Sequence, residues 1–316
     1  MKKVLSKMLS DYGIGVALIV EVILFSQLSQ YFFTADNLLN VSLQASITAI
    51  IAVGMTFVIL TGGIDLSVGS VVALTGIVAT SVIKIDLFGL PFLSFIVSIL
   101  AGLAFGLLSG IIAGLFVTKY KVTAFIVTLA LMTIWRGSAF MFTNGRPVWG
   151  LPEMFSVLGG GRIAGVPIPS VIMIILFVGA HIILTSTRFG RYVYAVGGNA
   201  EAARLVGIKT NRILMEVYSI CGILAALSGI LLSSRMNSGQ PNAGIMYELD
   251  VIAAVVVGGT SLNGGRGTII GTFFGAMLIA ILRNGLNLIN VNSYIQQVVV
   301  GLVILLAVLM DRQRMQ

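Results

Sequence analysis

The chain has 316 residues, of which 58% are hydrophobic and only 9% are charged. A soluble domain carries roughly 25% charged residues, so this composition excludes a water-soluble protein and indicates that lipid is the main solvent. The single cysteine excludes an internal disulfide, and the single histidine has no cysteine, histidine or carboxylate at metal-ligand spacing, which argues against a metal site.

Long apolar runs follow one another along the chain and predict membrane-spanning helices, because a membrane barrel would show short alternating strands. They lie at 13–33, 44–61, 66–84, 91–117, 123–142, 168–187, 213–233, 248–260, 267–284 and 294–310. We predict an all-α polytopic membrane protein of about ten transmembrane helices that forms one domain over 1–316. The eighth run is too short to cross a bilayer of about 30 Å alone, which predicts one or two broken or half helices.

Two segments interrupt apolar sequence with the same pattern, GGIDLSVG at 62–69 and GGTSLNGG at 258–265, and they predict related broken-helix elements. The first contains Asp65, a carboxylate that is costly at membrane depth and is therefore a functional candidate. The alternative, slightly favoured, is that Asp65 caps the following helix. The second segment has the glycine spacing of a phosphate-binding loop but lacks its lysine, so it does not predict nucleotide binding.

The fourth run has glycines four residues apart, at Gly102, Gly106, Gly110 and Gly114. Small residues at this spacing let two helix backbones approach closely in lipid. Packing within one subunit is favoured here over packing between subunits.

The distribution of lysine and arginine predicts the orientation, because cytoplasmic segments carry the excess. With the N-terminus inside, the cytoplasmic segments hold Lys2, Lys3, Lys7, Lys119, Lys121, Arg188, Arg191, Arg204, Lys209, Arg212, Arg266, Arg312 and Arg314. The opposite side holds only Lys84, Arg146, Arg162, Arg235 and Arg283. Both termini are therefore predicted to be cytoplasmic, and eight crossings with two re-entrant segments would satisfy the same rule. The Gly- and Pro-rich loop 143–167 is then outside, and the basic loop 188–212 is inside.

The inner loop 188–212 contains the sharpest local pattern. Gly197 and Gly198 interrupt the preceding structure, and the Asn199 side chain is suited to cap a new helix. Glu201 then falls in the first turn, where the helix dipole favours an anion, and Gly207 can end the helix in a left-handed turn. The pattern predicts a short rigid helix between two spans. The alternative is an ordinary basic loop that only fixes topology.

The run EAARLVG at 201–207 resembles the EAA-x-x-x-G coupling motif of ABC-importer permeases. The wider set resembles the ribose-type branch of that family over nearly the whole chain. Its elements are VGMTFVILTGGIDLSVGS at 53–70, TNGRPV at 143–148, GRYVYAVGGNAEAARLVGI at 190–208, QPNAGIMYELDVIAAVVVGGTSLNGGRGTIIGT at 240–272 and RNGLNLINV at 283–291. One departure is that no hydrophobic-Pro pair follows the motif glycine.

The resemblance implies a permease of the bacterial inner membrane that translocates ribose or a related monosaccharide. It implies a separate ATP-binding cassette ATPase, an extracytoplasmic sugar-binding protein and a second permease copy. ATP and Mg would bind the ATPase, so no cofactor is expected in this chain, and the chain is not expected to be an enzyme. The residues expected to couple to the ATPase are Gly198, Asn199, Glu201, Ala202, Ala203 and Gly207.

Candidates for the translocation path or gate are Asp65, Arg136, Asn144, Gln240, Pro241 and Asn242. Arg136 lies within the fifth span, where it would donate to sugar hydroxyls or pair with a carboxylate such as Glu153. The main alternative function is an ion-coupled secondary transporter of a small polar solute, which would need titratable groups at mid-membrane, with Asp65 the strongest candidate. A membrane enzyme is a weaker alternative, because the sequence shows no cluster of nucleophile, base and metal ligands.

Overall fold

The computed structural model describes residues 2–85 and 89–314; the side chains of residues 2–12, 307, 308 and 310–314 lie outside this description. Thirteen helices are described, with one two-stranded hairpin. They are α1 Lys2–Leu28, α2 Ala35–Leu60, α3 Val68–Ile83, α4 Pro91–Thr118, α5 Ala124–Thr143, α6 Glu153–Gly160, β1 Arg162–Ile163, β2 Val166–Pro167, α7 Ile168–Ser186, α8 Arg188–Gly198, α9 Ala200–Leu205, α10 Thr210–Arg235, α11 Tyr247–Val257, α12 Ile269–Leu288 and α13 Ser293–Arg314.

Six described helices, α2, α4, α5, α7, α10 and α12, are long and apolar enough to cross a membrane. Shorter apolar helical stretches cover 13–28, 68–83 and 293–306, and α11 has only 11 residues. The predicted all-α polytopic class is therefore confirmed, while the count of ten crossings stays a prediction. Three predicted boundaries are wrong by five residues or more. Helix α1 covers Lys2–Leu28 instead of 13–33, and α2 begins at Ala35 instead of 44, because the Thr34 side chain accepts a hydrogen bond from the Asn37 N–H and caps α2.

Helix α2 lies at the centre of the bundle, with nearly every residue from Ala45 to Leu60 buried. It packs against α7, α10, α11 and α12. The glycine face of α4 packs against α10: a β-carbon added at Gly106 would overlap Gly222, and one added at Gly110 would overlap the Tyr218 carbonyl. The favoured interpretation of this face, packing within one subunit, is confirmed.

The two ends of the bundle carry different elements. One end, the hairpin face, carries α6, β1 and β2. There Val148 and Gly239 exchange backbone hydrogen bonds and Lys84 Nζ donates to the Trp149 carbonyl at 2.9 Å. Segment 143–167, predicted as a loop, thus contains a helix and a hairpin. The other end carries α8, α9, the end of α2 and the 258–268 turn, and we call it the coupling face after the role predicted for residues 198–207.

Two helices of the bundle are interrupted. Residues 61–67 are not helical and separate α2 from α3. The first turns of α3 lie beside α10, where Val72 packs on Gly229. Residues 236–246, the entry segment, lead from the end of α10 to the short α11. The start of α3 meets the entry segment, since Gly69 lies directly against Gly244. The break at 62–69 and the short eighth helix agree with the prediction, whereas the other predicted break, 258–265, lies in the turn between α11 and α12, and the entry segment was not predicted.

Candidate translocation and coupling sites

Helix α9 has the caps that its sequence predicts. The Asn199 side chain accepts a hydrogen bond from the Ala202 N–H at 2.9 Å. At the other end, Gly207 has φ +88° and the Ile208 N–H donates to the Ala203 carbonyl at 3.0 Å, which satisfies a carbonyl that the helix leaves free. The short capped helix is confirmed, and its role in coupling to an ATPase stays a prediction.

The exposed side of α9 has an apolar tip. Leu205 is 79% exposed and Val206 is 77% exposed, whereas Ala203 is buried against the bundle. Glu201 accepts from Arg204 Nη2 at 2.6 Å, and both side chains are 66% exposed, so this pair contributes little to stability. Two neighbouring apolar residues at the end of a rigid polar helix suit a partner that buries them.

The two similar glycine segments meet segment 188–212 at one point, which we call the glycine junction (Leu60–Gly62, Gly197–Gly198 and Gly264–Gly265). Gly265 N–H donates to the Leu60 carbonyl at 2.8 Å, and a β-carbon at Gly197 would overlap that same carbonyl. Nearby, the Tyr194 hydroxyl donates to the Gly267 carbonyl at 2.7 Å, and burial raises the pKa of Tyr194, which keeps it a neutral donor. Segment 188–212 therefore contacts the end of α2 and the turn before α12 through backbone atoms.

Arg136 joins α5 to both interrupted helices. Its Nη1 donates to the carbonyls of Pro241 at 2.8 Å and Ala243 at 2.7 Å, and its Nη2 donates to the Gly69 carbonyl at 3.2 Å. Glu248, in the first turn of α11, lies near enough to interact electrostatically with the guanidinium. The suggested pairing with Glu153 is wrong, because Arg136 holds the entry segment and the start of α3 instead.

Asp65 is buried in the turn before α3. It accepts from the Ser67 N–H at 2.9 Å and from the Ser67 hydroxyl at 2.6 Å, and it is 2% exposed. The favoured capping interpretation is wrong in its detail, since Ser67 and not Asp65 occupies the N-cap position of α3. Asp65 instead tightens the turn that leads into that helix, and it faces Tyr218 and Cys221 of α10.

The other path candidates lie at or near the hairpin face. Asn144 ends α5 in the left-handed conformation with φ +49°, a structural position at an exposed turn. Gln240 donates to the Ser238 hydroxyl at 3.2 Å, Pro241 is buried and Asn242 is exposed. The structure therefore brings Arg136 together with the segment 240–242, and it places Asp65 and Asn144 elsewhere.

Sequence reasoning missed one polar site, an ion pair between α11 and α12. Arg283 Nη2 donates to both oxygens of Asp250, at 2.6 Å and 2.8 Å, beside a cavity of about 260 Å³. The sequence places these residues 33 positions apart, and Arg283 was interpreted only as a boundary charge. The sequence offers only two signals for this ion pair. One is an acid in the first turn of a short helix, and the other is an arginine near the end of the next helix. Within the described residues, no group of acidic, histidine or cysteine side chains could hold a metal ion.

The described residues form an apolar helical bundle with interrupted helical stretches and an exposed capped helix at one end, which is the architecture of a polytopic membrane protein. The family described as the permease component of the branched-chain amino acid transport system matches residues 37–308, and the chain belongs to this family.

The chain is also similar to individual permeases along nearly its whole length. It is 51% identical to the ribose import permease protein of Escherichia coli strain K12, over 95% of this chain and 92% of that protein. It is 45% identical to the ribose import permease protein of Bacillus subtilis strain 168, over 96% and 92%. It is 37% identical to the L-arabinose ABC transporter permease protein of Azospirillum brasilense, over 93% and 86%. No solved structure matches the chain.

These similarities confirm the resemblance to the ribose-type branch of ABC-importer permeases. The chain is a permease subunit of an ABC importer and a multi-pass protein of the inner membrane. It supplies the membrane-spanning part of the importer and is not an enzyme.

Proposed function

We propose that the chain forms the membrane pathway of an ATP-driven importer of ribose or a closely related monosaccharide. The exposed, capped helix α9 carries this proposal, because a pathway driven by a separate ATPase needs a stiff element that the ATPase can move. The relatives named above favour a sugar as the substrate, and two of them are named for ribose at 45% and 51% identity. The family description names branched-chain amino acids, but the three relatives named above, which match over nearly the full length, are named for sugars.

The two faces then have different partners. The coupling face lies in the cytoplasm and presents α9 to the ATPase, which binds ATP and Mg. The hairpin face lies outside and receives the sugar-binding protein, with the exposed Trp149 among its contacts. A second permease copy completes the pathway; α4 and α5, which have the smallest buried share among the six long apolar helices, are the surfaces that we propose for it.

Within the pathway, Gly198, Asn199, Glu201, Ala202, Ala203 and Gly207 form the coupling element. Arg136, Pro241 and the neighbouring Gln240 and Asn242 form a gate, because Arg136 joins a helix of the bundle to the entry segment. Movement of α9 reaches the bundle through the glycine junction at the end of α2. The alternative of an ion-coupled transporter is not favoured, since Asp65 is enclosed by Ser67 and α10 and belongs to a local turn.

The proposal is tested by reconstituting the permease with its ATPase in proteoliposomes and adding the binding protein and labelled D-ribose. We expect uptake that requires both ATP and the binding protein. Omitting ATP while imposing a proton or sodium gradient is the control for the alternative. Uptake driven by the ion gradient without ATP would contradict the proposal.

A further inference from the structure

A partly open cavity of about 260 Å³, with a mixed polar and apolar lining, lies between α2, α10, α11 and α12, separate from the Arg136 gate and from α9. A single water needs roughly 10–15 Å³, so the cavity has room for a small solute with several waters. Its polar lining comes from Gln44 and Thr48 of α2, Arg235 of α10, Tyr247 and Asp250 of α11, and Arg283 of α12. A fixed carboxylate, two guanidiniums, an amide and a phenol therefore converge from four helices.

Several of these groups have hydrogen-bonding capacity left over. Among the described residues, none accepts a hydrogen bond from the Arg235 side chain or pairs with the Tyr247 hydroxyl or the Gln44 amide. The Nε of Arg283 is buried and also has no partner there. Of these groups only the Arg283 Nε is buried without a partner; Gln44, Arg235 and Tyr247 are half-buried and offer free donors and acceptors that a ligand or ordered water can pair.

The mixture of donors and acceptors identifies the kind of ligand. Asp250 takes one hydrogen bond on each oxygen from Arg283, which fixes the carboxylate and leaves lone pairs to accept from a hydroxyl. Arg235 and Gln44 supply donors, and the Tyr247 hydroxyl can donate to or accept from a sugar hydroxyl. An anion is the competing ligand, because Arg283 neutralises Asp250 and leaves the Arg235 guanidinium without a carboxylate partner among the described residues.

The cavity also lies on a route from the hairpin face. Arg235 lines both this cavity and a second, more open groove beside α6 that includes Glu153, Ser156 and Asn237. Arg235 and Tyr247 flank the entry segment, whose carbonyls are held by Arg136. A solute in the cavity would therefore contact both ends of the segment that the gate must move.

We propose that this cavity binds one monosaccharide on its way through the permease, with Asp250, Arg235 and Tyr247 as the principal contacts. The inference rests on the proposed function for its substrate class. It adds a sugar-binding site within a single permease chain. Such a site would not be needed if the binding protein alone selected the sugar.

The test is equilibrium binding of labelled D-ribose to the permease–ATPase complex in nanodiscs, without binding protein or ATP. We expect saturable binding of one ribose per permease chain, weakened at least tenfold by Arg235→Gln and by Tyr247→Phe. Arg162→Gln is the matched control, since Arg162 is an exposed arginine of the hairpin face outside the cavity. Co-purification of the ATPase at wild-type levels shows that the variants are folded.

The outcomes separate the inference from the proposed function. If the wild-type complex imports ribose but shows no saturable binding of it, the cavity is not a sugar site. The same follows if both variants bind ribose with the affinity of the wild type. Binding of inorganic phosphate in place of ribose would overturn the sugar assignment as well. If the wild-type complex imports no ribose when supplied with binding protein and ATP, the proposed function fails and the inference fails with it.

Discussion

At the scale of single residues, Gly207 has the backbone conformation that is hardest to substitute within the coupling element. Its φ of +88° lies in the left-handed region, and a β-carbon there would meet open space, so a substitution acts through the backbone alone. We expect Gly207→Val to cost more than the roughly 1–2 kcal/mol of an ordinary residue in this conformation, and to abolish ATP-dependent uptake with the permease still in the membrane. Gly207→Asn, which tolerates this conformation, is the control and should retain most of the uptake. Normal uptake by the valine variant would remove α9 from the coupling mechanism.

A second prediction at this scale concerns Arg136. Arg136→Gln removes three charge-assisted hydrogen bonds, each worth about 1.5–3 kcal/mol, that hold the entry segment to α5 and α3. We expect ATP-dependent uptake to fall at least tenfold, while assembly with the ATPase is kept because the coupling face is distant. The matched control is Arg146→Gln, an exposed arginine just beyond the end of α5. Equal uptake by both variants would show that the entry segment needs no anchor.

The sequence could single out Arg136 but not its partners. A charged residue in an apolar run is visible in the sequence, and a carboxylate is the natural partner to seek. The partners here are backbone carbonyls of Gly69, Pro241 and Ala243, and any residue can supply a carbonyl. The caps of α9 could be predicted in full, because Asn199 and Gly207 act on their own neighbours along the chain.

At the scale of elements, the glycine junction predicts that alanine substitution destabilises the protein at one of two adjacent glycines and has no effect at the other. A β-carbon at Gly197 would overlap the Leu60 carbonyl, whereas one at Gly198 would meet open space. Overpacking of a close contact costs about 1–3 kcal/mol, so we expect Gly197→Ala to lower the melting temperature of the detergent-solubilised permease and to reduce uptake. Gly198→Ala should melt as the wild type does. Identical melting curves would mean that α8 moves away from α2 at no cost.

The helices themselves were largely predictable, and the departures from prediction have local causes. Ten apolar runs correspond to ten described helices, because apolar length is a direct signal of a helix in lipid. The start of α2 was missed because its first turns are polar, although Thr34 and Asn37 carry a capping signal. Helix α6 and the hairpin were missed because the glycines and prolines of 143–167 indicate turns without showing how the turns are joined.

At the scale of the whole molecule, the structure brings together segments that the charge rule assigns to one side. Three segments meet at the glycine junction: the end of α2, the α8–α9 junction and the turn before α12. They therefore all lie on the same side of the membrane. Arg188, Arg191, Arg204, Lys209 and Arg212 all belong to this face. Lys2, Lys3, Lys7, Arg312 and Arg314, which strengthened the assignment from sequence, lie outside the described side chains.

The last prediction is that the coupling face is cytoplasmic, and it can be tested with one cysteine on each face. Cys221 is fully buried beside Gly54, and replacing it with alanine gives a background without thiols. In that background, Arg162→Cys on β1 should react with a membrane-impermeant maleimide in intact cells, because Arg162 is exposed on the hairpin face. Ala200→Cys, at the exposed start of α9, should react only after the membrane is permeabilised. This prediction rests on the lysine and arginine excess, which fixes orientation during insertion. The reverse labelling pattern would show that the whole molecule has the opposite orientation, with α9 out of reach of any cytoplasmic ATPase.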